Sequence, residues 1–246
     1  MTKQTIETVK ENIGAANSIH SSITDLVTMD LEEYRAERSK VFNNRNLSQE
    51  GKQEQYKAIR KKYERQFLDL AKALKDTYHT HVKDAKEQAE KVMIAEVPKA
   101  SDHKRKVFDQ KAEALKAKVN FSLDLADAKK ALEEIVSIAD EPELAIEAKS
   151  QLMQLSQQVM SLTATDNELQ STKYELGEMY KRLAEKAMTE KAREASQLLE
   201  YMGRMESVTL FSPLVTGAIQ EVSQDAAKYM NDPEKYLKSL EGGDEK

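Results

Sequence analysis

Apolar side chains recur along this chain at intervals of three and four, separated by charged or amide-bearing positions. The first stripe is Ile6, Val9, Ile13, Ala16, His20, Ile23, Val27, Leu31, Tyr34, Arg38 and Val41. Its steps average about 3.5 residues, the spacing of a left-handed coiled-coil seam. His20 is a polar member: such a residue fixes register in a seam, and a histidine there has the titration range of a pH switch. From Ser48 to Ala95 the period lengthens. Tyr56, Phe67, Tyr78 and Ala89 recur every eleven residues, with Ile59, Tyr63, Leu70, Leu74, Val82 and Ala85 between them. Eleven residues in three turns is about 3.67 per turn and predicts straight or slightly right-handed packing. A continuous helix over this stretch would reach about 70 Å, so an elongated molecule is expected.

The later stripes are shorter. Phe108, Ala112, Leu115 and Val119 form one; Phe121, Leu125, Ala128, Leu132, Ile135 and Ala139 form another, offset by two. Residues 119–125 alternate apolar and polar as a strand does, but no second strand is in prospect to pair with it. A kink is expected instead, with Asn120 or Ser122 capping a new helix. Leu144, Ala148, Leu152, Leu155, Val159 and Leu162 share one face of a fourth segment. A fifth runs from Asp166 to about Glu206 through Leu169, Leu176, Met179, Leu183, Ala187, Leu198, Met202 and Met205, with a polar patch at residues 189–191. Breaks are expected at 43–46, 97–101, 140–142, 163–167 and 207–217. Ser48, Ser101 and Asp166 stand as candidate N-caps, and Pro142 and Pro233 suit a first helical turn. The reading is an all-α, elongated bundle of about six helical segments with coiled-coil character. It places a long-helix region at 1–206 and an interrupted segment with short terminal helices and an acidic tail at 207–246.

Composition narrows the classes. Of 246 residues a third are charged and 39% are hydrophobic; there are only 7 Gly and 4 Pro, and no Cys or Trp. Turn-rich sandwiches and doubly wound enzymes need more Gly and Pro. A disulfide framework or Cys-ligated metal is excluded by composition. The regular apolar spacing excludes a fully disordered chain. No stretch reads as a signal peptide or as the roughly 20 apolar residues of a membrane span, so a cytoplasmic protein is expected.

No catalytic constellation stands out. His79 and His81 are two apart and diverge by about 200° on a helix. The pairs Glu133-Glu134 and Asp140-Glu141 are adjacent in sequence, which on a helix separates their side chains. There is no Glu-x-x-His pair, phosphate-cradling Gly-rich loop or nucleophile elbow. The expectation is a non-enzyme without cofactor or metal.

Charge is distributed in runs: net +4 over residues 52–65, net +4 over 99–118, and net −6 over 124–147, within an overall −5. Arg60, Lys61, Lys62, Lys104, Arg105 and Lys106 form the candidate basic patch. It either neutralises phosphates or is answered by acidic helices of this chain or a second subunit. The negative total argues against nucleic acid as the partner.

Two sets of packing residues follow. Ile13, Ile23, Leu31, Tyr56, Ile59, Tyr63, Phe67, Leu70, Leu74 and Tyr78 are expected in oligomer or bundle seams, and a homo-oligomer is expected. The densest apolar run, residues 208–219, is interrupted by Pro213 and Gly217. Its Leu210, Phe211, Leu214, Val215 and Ile219 are either a partner-docking element or a loop buried on the helices.

The run Asn46-Leu47-Ser48-Gln49-Glu50-Gly51, followed by Tyr56-Lys57-Ala58-Ile59-Arg60-Lys61-Lys62-Tyr63, resembles helical proteins encoded by bacteriophages of Gram-positive hosts, including scaffolding-type proteins of virion assembly. The likeness covers about a fifth of the chain. It implies a helical, self-associating assembly protein in the host cytoplasm with a structural protein partner. The tail departs from that pattern. Such scaffolds often end in a basic coat-binding helix, whereas residues 232–246 carry five acidic and three basic side chains. A second function class remains beside the first: a phage-type regulator or inhibitor that binds a host protein or nucleic acid through the basic faces.

Overall fold

The computed structural model describes residues 6–241, and these are all-helical, with no strand among them. Ten helices follow one another: α1 (Ile6–Asn43), α2 (Gln49–Met93), α3 (Asp102–Phe121), α4 (Leu125–Ile138), α5 (Pro142–Ser161), α6 (Asp166–Ala187), α7 (Glu190–Glu206), α8 (Pro213–Ile219), α9 (Gln224–Tyr229) and α10 (Pro233–Glu241). Six segments become ten chiefly because the fifth breaks at Met188 and the interrupted run from Ser207 onward resolves into three short helices. The chain divides into two compact units, one of residues 1–90 with 198–246 and one of residues 91–197. The boundaries therefore differ from a single division at residue 206.

Local chemistry sets the helix starts. Ser48 Oγ accepts from Gly51 N at 3.1 Å and Ser101 Oγ from Lys104 N, as an N-cap side chain does. At α4 the cap is Asp124, which accepts from Asp127 N at 3.0 Å. Asn120 and Ser122, the expected caps, lie at the other side of the break. Ser122 Oγ instead accepts from Asp124 N and donates to Asp124 O, which fixes the turn. At α6 Thr165 rather than Asp166 is the cap: its hydroxyl accepts from Glu168 N, while Glu168 Oε2 accepts from Ala164 N. This reciprocal exchange is close to a capping box. Pro142 opens α5 and Pro213 opens α8, where a missing N–H costs nothing. Pro213 thus starts a helix instead of breaking one, and Gly217 lies inside it.

In the first unit α1 and α2 form an antiparallel pair. Asn12 meets His81, Asp30 meets Gln66 and Glu37 meets Lys62, so the α1 number rises as the α2 number falls. The α1 stripe is buried at Ile6, Val9, Ile13, Ala16, Ile23, Val27, Leu31 and Tyr34. His20 is exposed, and the stripe continues through half-buried Ile19. A step of four and then three through His20 becomes three and then four through Ile19, which removes His20 from the seam. On α2, Tyr63, Phe67, Tyr78, Val82, Ala85 and Ala89 are buried. Leu68 and Ala71 are also buried. With Arg60, Glu64 and Lys75 they make a second line at i, i+4, i+8, i+11 and i+15, one helix face. The polar members of that line bind α10 and the turns on either side of α9: Arg60 Nε donates to Val222 O at 2.6 Å, Lys75 Nζ to Asn231 O at 3.0 Å, and the Tyr236 hydroxyl to Glu64. The end of α7 joins the same unit, with the buried Tyr78 hydroxyl donating to Met205 O at 3.1 Å and Lys86 pairing with Glu206 at 2.9 Å.

In the second unit the pairs α3–α4 and α5–α6 pack on each other around one core. Phe108, Leu115, Val119, Leu132, Ile135, Leu144, Leu152, Val159, Leu176 and Leu183 belong to it. Burial of each such side chain contributes about 1.5–3 kcal/mol. Phe121 departs from its expected stripe. It is the last residue of α3, and the turn at 122–124 leaves it 84% exposed.

Candidate interaction site

Of the expected seam residues, Ile13, Ile23, Leu31, Tyr63, Phe67 and Tyr78 are buried inside the first unit, and Tyr56, Ile59, Leu70 and Leu74 are half-buried. The stripes called for partners, and the chain's own helices supply much of that cover. Around Tyr34 these residues build a mixed cluster. The Tyr34 ring meets Tyr63 edge-on at 5.5 Å, and its hydroxyl donates to the Tyr56 hydroxyl at 3.3 Å. Burial, followed by that hydrogen bond, pushes the Tyr34 hydroxyl up to about 12. Glu37 accepts from Lys62 at 2.7 Å and from the Tyr63 hydroxyl at 3.2 Å, and the lysine bond leads in holding its carboxyl below the usual range.

The run 208–219 divides between the two readings left open for it. Leu210, Phe211, Val215 and Ile219 are buried in the first unit, whereas Leu214 is 81% exposed. Asn231 pins the start of the run: its Oδ1 accepts from Phe211 N and its Nδ2 donates to Phe211 O, both at 3.0 Å. Glu221, just beyond α8, accepts from Arg35 at 2.7 Å and Arg38 at 3.3 Å on α1. The arginines are a contribution that the sequence reading missed. Arg38 had been placed in the seam, and nothing local marks Glu221 as its partner. Residues 242–246 of the acidic tail lie outside the described residues.

The candidate basic patch does not converge. Arg60 serves the Val222 carbonyl and Lys62 serves Glu37 in the first unit. In the second unit Lys104 pairs with Asp140 and Glu141, and Arg105 with Glu143 at 2.8 Å and Glu147 at 3.3 Å. Glu143 also accepts from Ala100 N at 2.7 Å; Arg105 first, and that N–H second, hold its carboxyl below the ordinary value. The acidic run thus answers the basic run across helices. Lys61 and Lys106 are exposed.

The α3–α4 turn presents a different surface. Phe121 and Leu123 are 84% and 97% exposed, beside a groove of about 440 Å3 lined by Lys118, Phe121, Asp127, Lys130, Ala131 and Glu134. Asp127, Lys130, Ala131 and Glu134 are spaced to share one face of α4. On its other side α4 is tied to α6, Lys129 to Glu175 at 2.6 Å and Glu133 bidentately to Arg182 at 2.6 Å. None of Lys118, Asp127, Lys130 and Glu134 is in an ion pair among the described residues.

His81 Nδ1 lies 2.9 Å from Asn12 Oδ1, and His79 meets the Tyr78 ring edge-on, so the two histidines serve different neighbours. Among the described residues no group of three or more His, Asp or Glu is placed to hold a metal ion. No helix there is long and apolar enough to cross a membrane. No family model, curated protein or solved structure matches this chain.

Proposed function

We propose that this chain is a non-enzymatic, self-associating helical protein with an assembly or structural role, of the virion-scaffolding kind that residues 46–63 resemble. Its long helices act as coiled-coil-type struts, elongated in the assembled state, and its partners are further copies and a structural protein in the host cytoplasm. The observation that carries this reading is the placement of large apolar groups. Phe67, Phe108 and Phe211 are buried, whereas Phe42 and Phe121 stand exposed at helix ends, Phe121 with the likewise exposed Leu123 two residues on. Adjacent exposed apolar side chains rimmed by polar groups mark interaction surfaces. The charged side chains add support, since the ion pairs tie helix to helix. The regulatory reading through basic faces has less support, because Arg60, Lys62, Lys104 and Arg105 already face carbonyl or carboxylate oxygens.

Sedimentation velocity over a concentration series tests the proposal. The expected result is a species larger than monomer that grows with concentration between about 1 and 100 μM, the range of modest interfaces. A single monomer throughout that range rejects it.

A further inference from the structure

We infer that the C-terminal module, residues 211–236, is exchanged between two copies of this chain, each module docking on the α1–α2 pair of the other copy through the face that it covers in its own. This rests on the self-association reading and names its surface. The occupant of that face is visible in the structure. Glu221 accepts from Arg35 at 2.7 Å and from Arg38 at 3.3 Å, Val222 O accepts from Arg60, Asn231 O accepts from Lys75, and the Tyr236 hydroxyl donates to Glu64. The module also holds its own shape. Ser212 and Ser223 cap α8 and α9, Asn231 clasps both backbone groups of Phe211, and the Tyr229 and Tyr236 rings stack at 5.4 Å. It can therefore move as one piece, with little ordering left to do when it docks. Its link to α7 is the part that can change. Ser207, Val208 and Thr209 are exposed, so little packing is lost when they move. Ser207 N and Val208 N donate back to Arg204 O and Met205 O, the three-residue spacing of a helix that tightens at its end. Residues 207–211 contain no Gly or Pro, so no residue stops α7 from running on until Pro213 disfavours helix at Ser212. Such a run would lengthen α7 by about 8 Å and lift the module off its own α2. A module so placed finds the same face on a second copy, and reciprocal exchange closes a two-fold dimer that reuses the contacts of the monomer.

The test uses the full chain, with circular dichroism to monitor the fold. One variant carries Arg35→Glu with Arg38→Glu, and the other carries Glu221→Arg. Each variant alone meets the same mismatch whether its module docks in its own chain or in a second copy. Only an exchanged pair of one copy of each restores the match, and it does so at both docking faces. The two variants differ in mass, so native mass spectrometry counts their dimers after they are mixed in urea and refolded together. Random pairing makes heterodimers as common as the two homodimers together. Exchange should enrich them about fivefold or more over that, the effect of several exposed ion pairs changing at once. A second arm addresses the link. The Thr209 N–H has no hydrogen-bond partner among the described residues, so Thr209→Pro leaves the bent form intact. It forbids a continuous helix, and sedimentation equilibrium should show dimerisation weakened by about a hundredfold, as a proline in a helix interior does. Random proportions in the mixture overturn the exchange and leave self-association standing on another surface. A folded Thr209→Pro chain that dimerises as tightly as the unaltered one does the same, and if that variant loses its helical signal the mixture decides. If the unaltered chain is monomeric up to about 100 μM, both readings fall.

Discussion

At the scale of single residues, the second unit contains a hydroxyl in the wrong company. Thr172 is fully buried on the α6 stripe between Leu169 and Leu176, and its Oγ1 has no hydrogen-bond partner. A buried polar atom without a partner costs about 1–3 kcal/mol. Thr172→Val keeps the branched shape and removes the hydroxyl, so it should stabilise the chain by about 1 kcal/mol. A urea midpoint that rises with unchanged slope would bear this out, and a fall would mean that the hydroxyl is satisfied. Tyr236 gives a pH-dependent counterpart. Its bond to the Glu64 carboxylate, with burial second, pushes its hydroxyl up to about 12 from an ordinary 10.0. A raised tyrosine contributes stability that is fully present below about pH 10 and is lost as pH climbs through about 12. The stability advantage of the unaltered chain over Tyr236→Phe should therefore shrink across that window. Urea titrations at its two ends measure the difference, and a constant one would contradict the linkage.

At the scale of elements, the run 208–219 has a buried and an exposed side, shared between the turn at 208–212 and the short helix α8. Phe211→Ala should cost about 3–5 kcal/mol, the usual loss when a buried aromatic leaves a cavity. Leu214→Ser, at an 81% exposed position, should stay within about 0.5 kcal/mol. Equal effects of the two changes, read as urea midpoints, would mean that the segment is not seated as described. The contrast also shows what periodicity can and cannot reveal. The buried α1 stripe was legible because a regular three-four pattern over ten turns leaves only one face for the core. His20 misled because Ile19, one position away, continues the same pattern. Leu68 and Ala71 were missed because the helix face they share is tied, through Arg60, Glu64 and Lys75, to residues 222, 236 and 231, more than 130 residues later in the chain, and a local period holds no record of that. Phe121 misled in the other direction. It matched the phase of the α4 stripe, but the Asp124 cap starts that helix after it, and a capped turn resets the phase. The exposed patch at 121–134 was hidden for the same reason.

At the scale of the whole molecule, the two units are built from the chain in different ways. The second is continuous, residues 91–197. Its four main helices carry their own caps, core and ion pairs, from Ser101 at the start of α3 to Arg182 and Lys186 on α6. The first is discontinuous, residues 1–90 with 198–246. Its α2 helix presents Leu68 and Ala71 on a face whose flanking Arg60, Glu64 and Lys75 bond to residues 222, 236 and 231. A fragment of residues 95–189 therefore retains nearly everything that holds the second unit together. It should be helical by circular dichroism and melt cooperatively. Residues 1–94 alone should behave differently, because their second stripe and the Tyr78 hydroxyl lose their partners, and an uncovered apolar line promotes association in place of folding. Adding a fragment of residues 190–246 in trans should restore a cooperative melt, since hydrophobic cover does not depend on which chain supplies it. If residues 1–94 melt cooperatively as a monomer without that fragment, the C-terminal helices are an attachment and not a part of the core. If the 95–189 fragment is unfolded, the second unit depends on the rest of the chain.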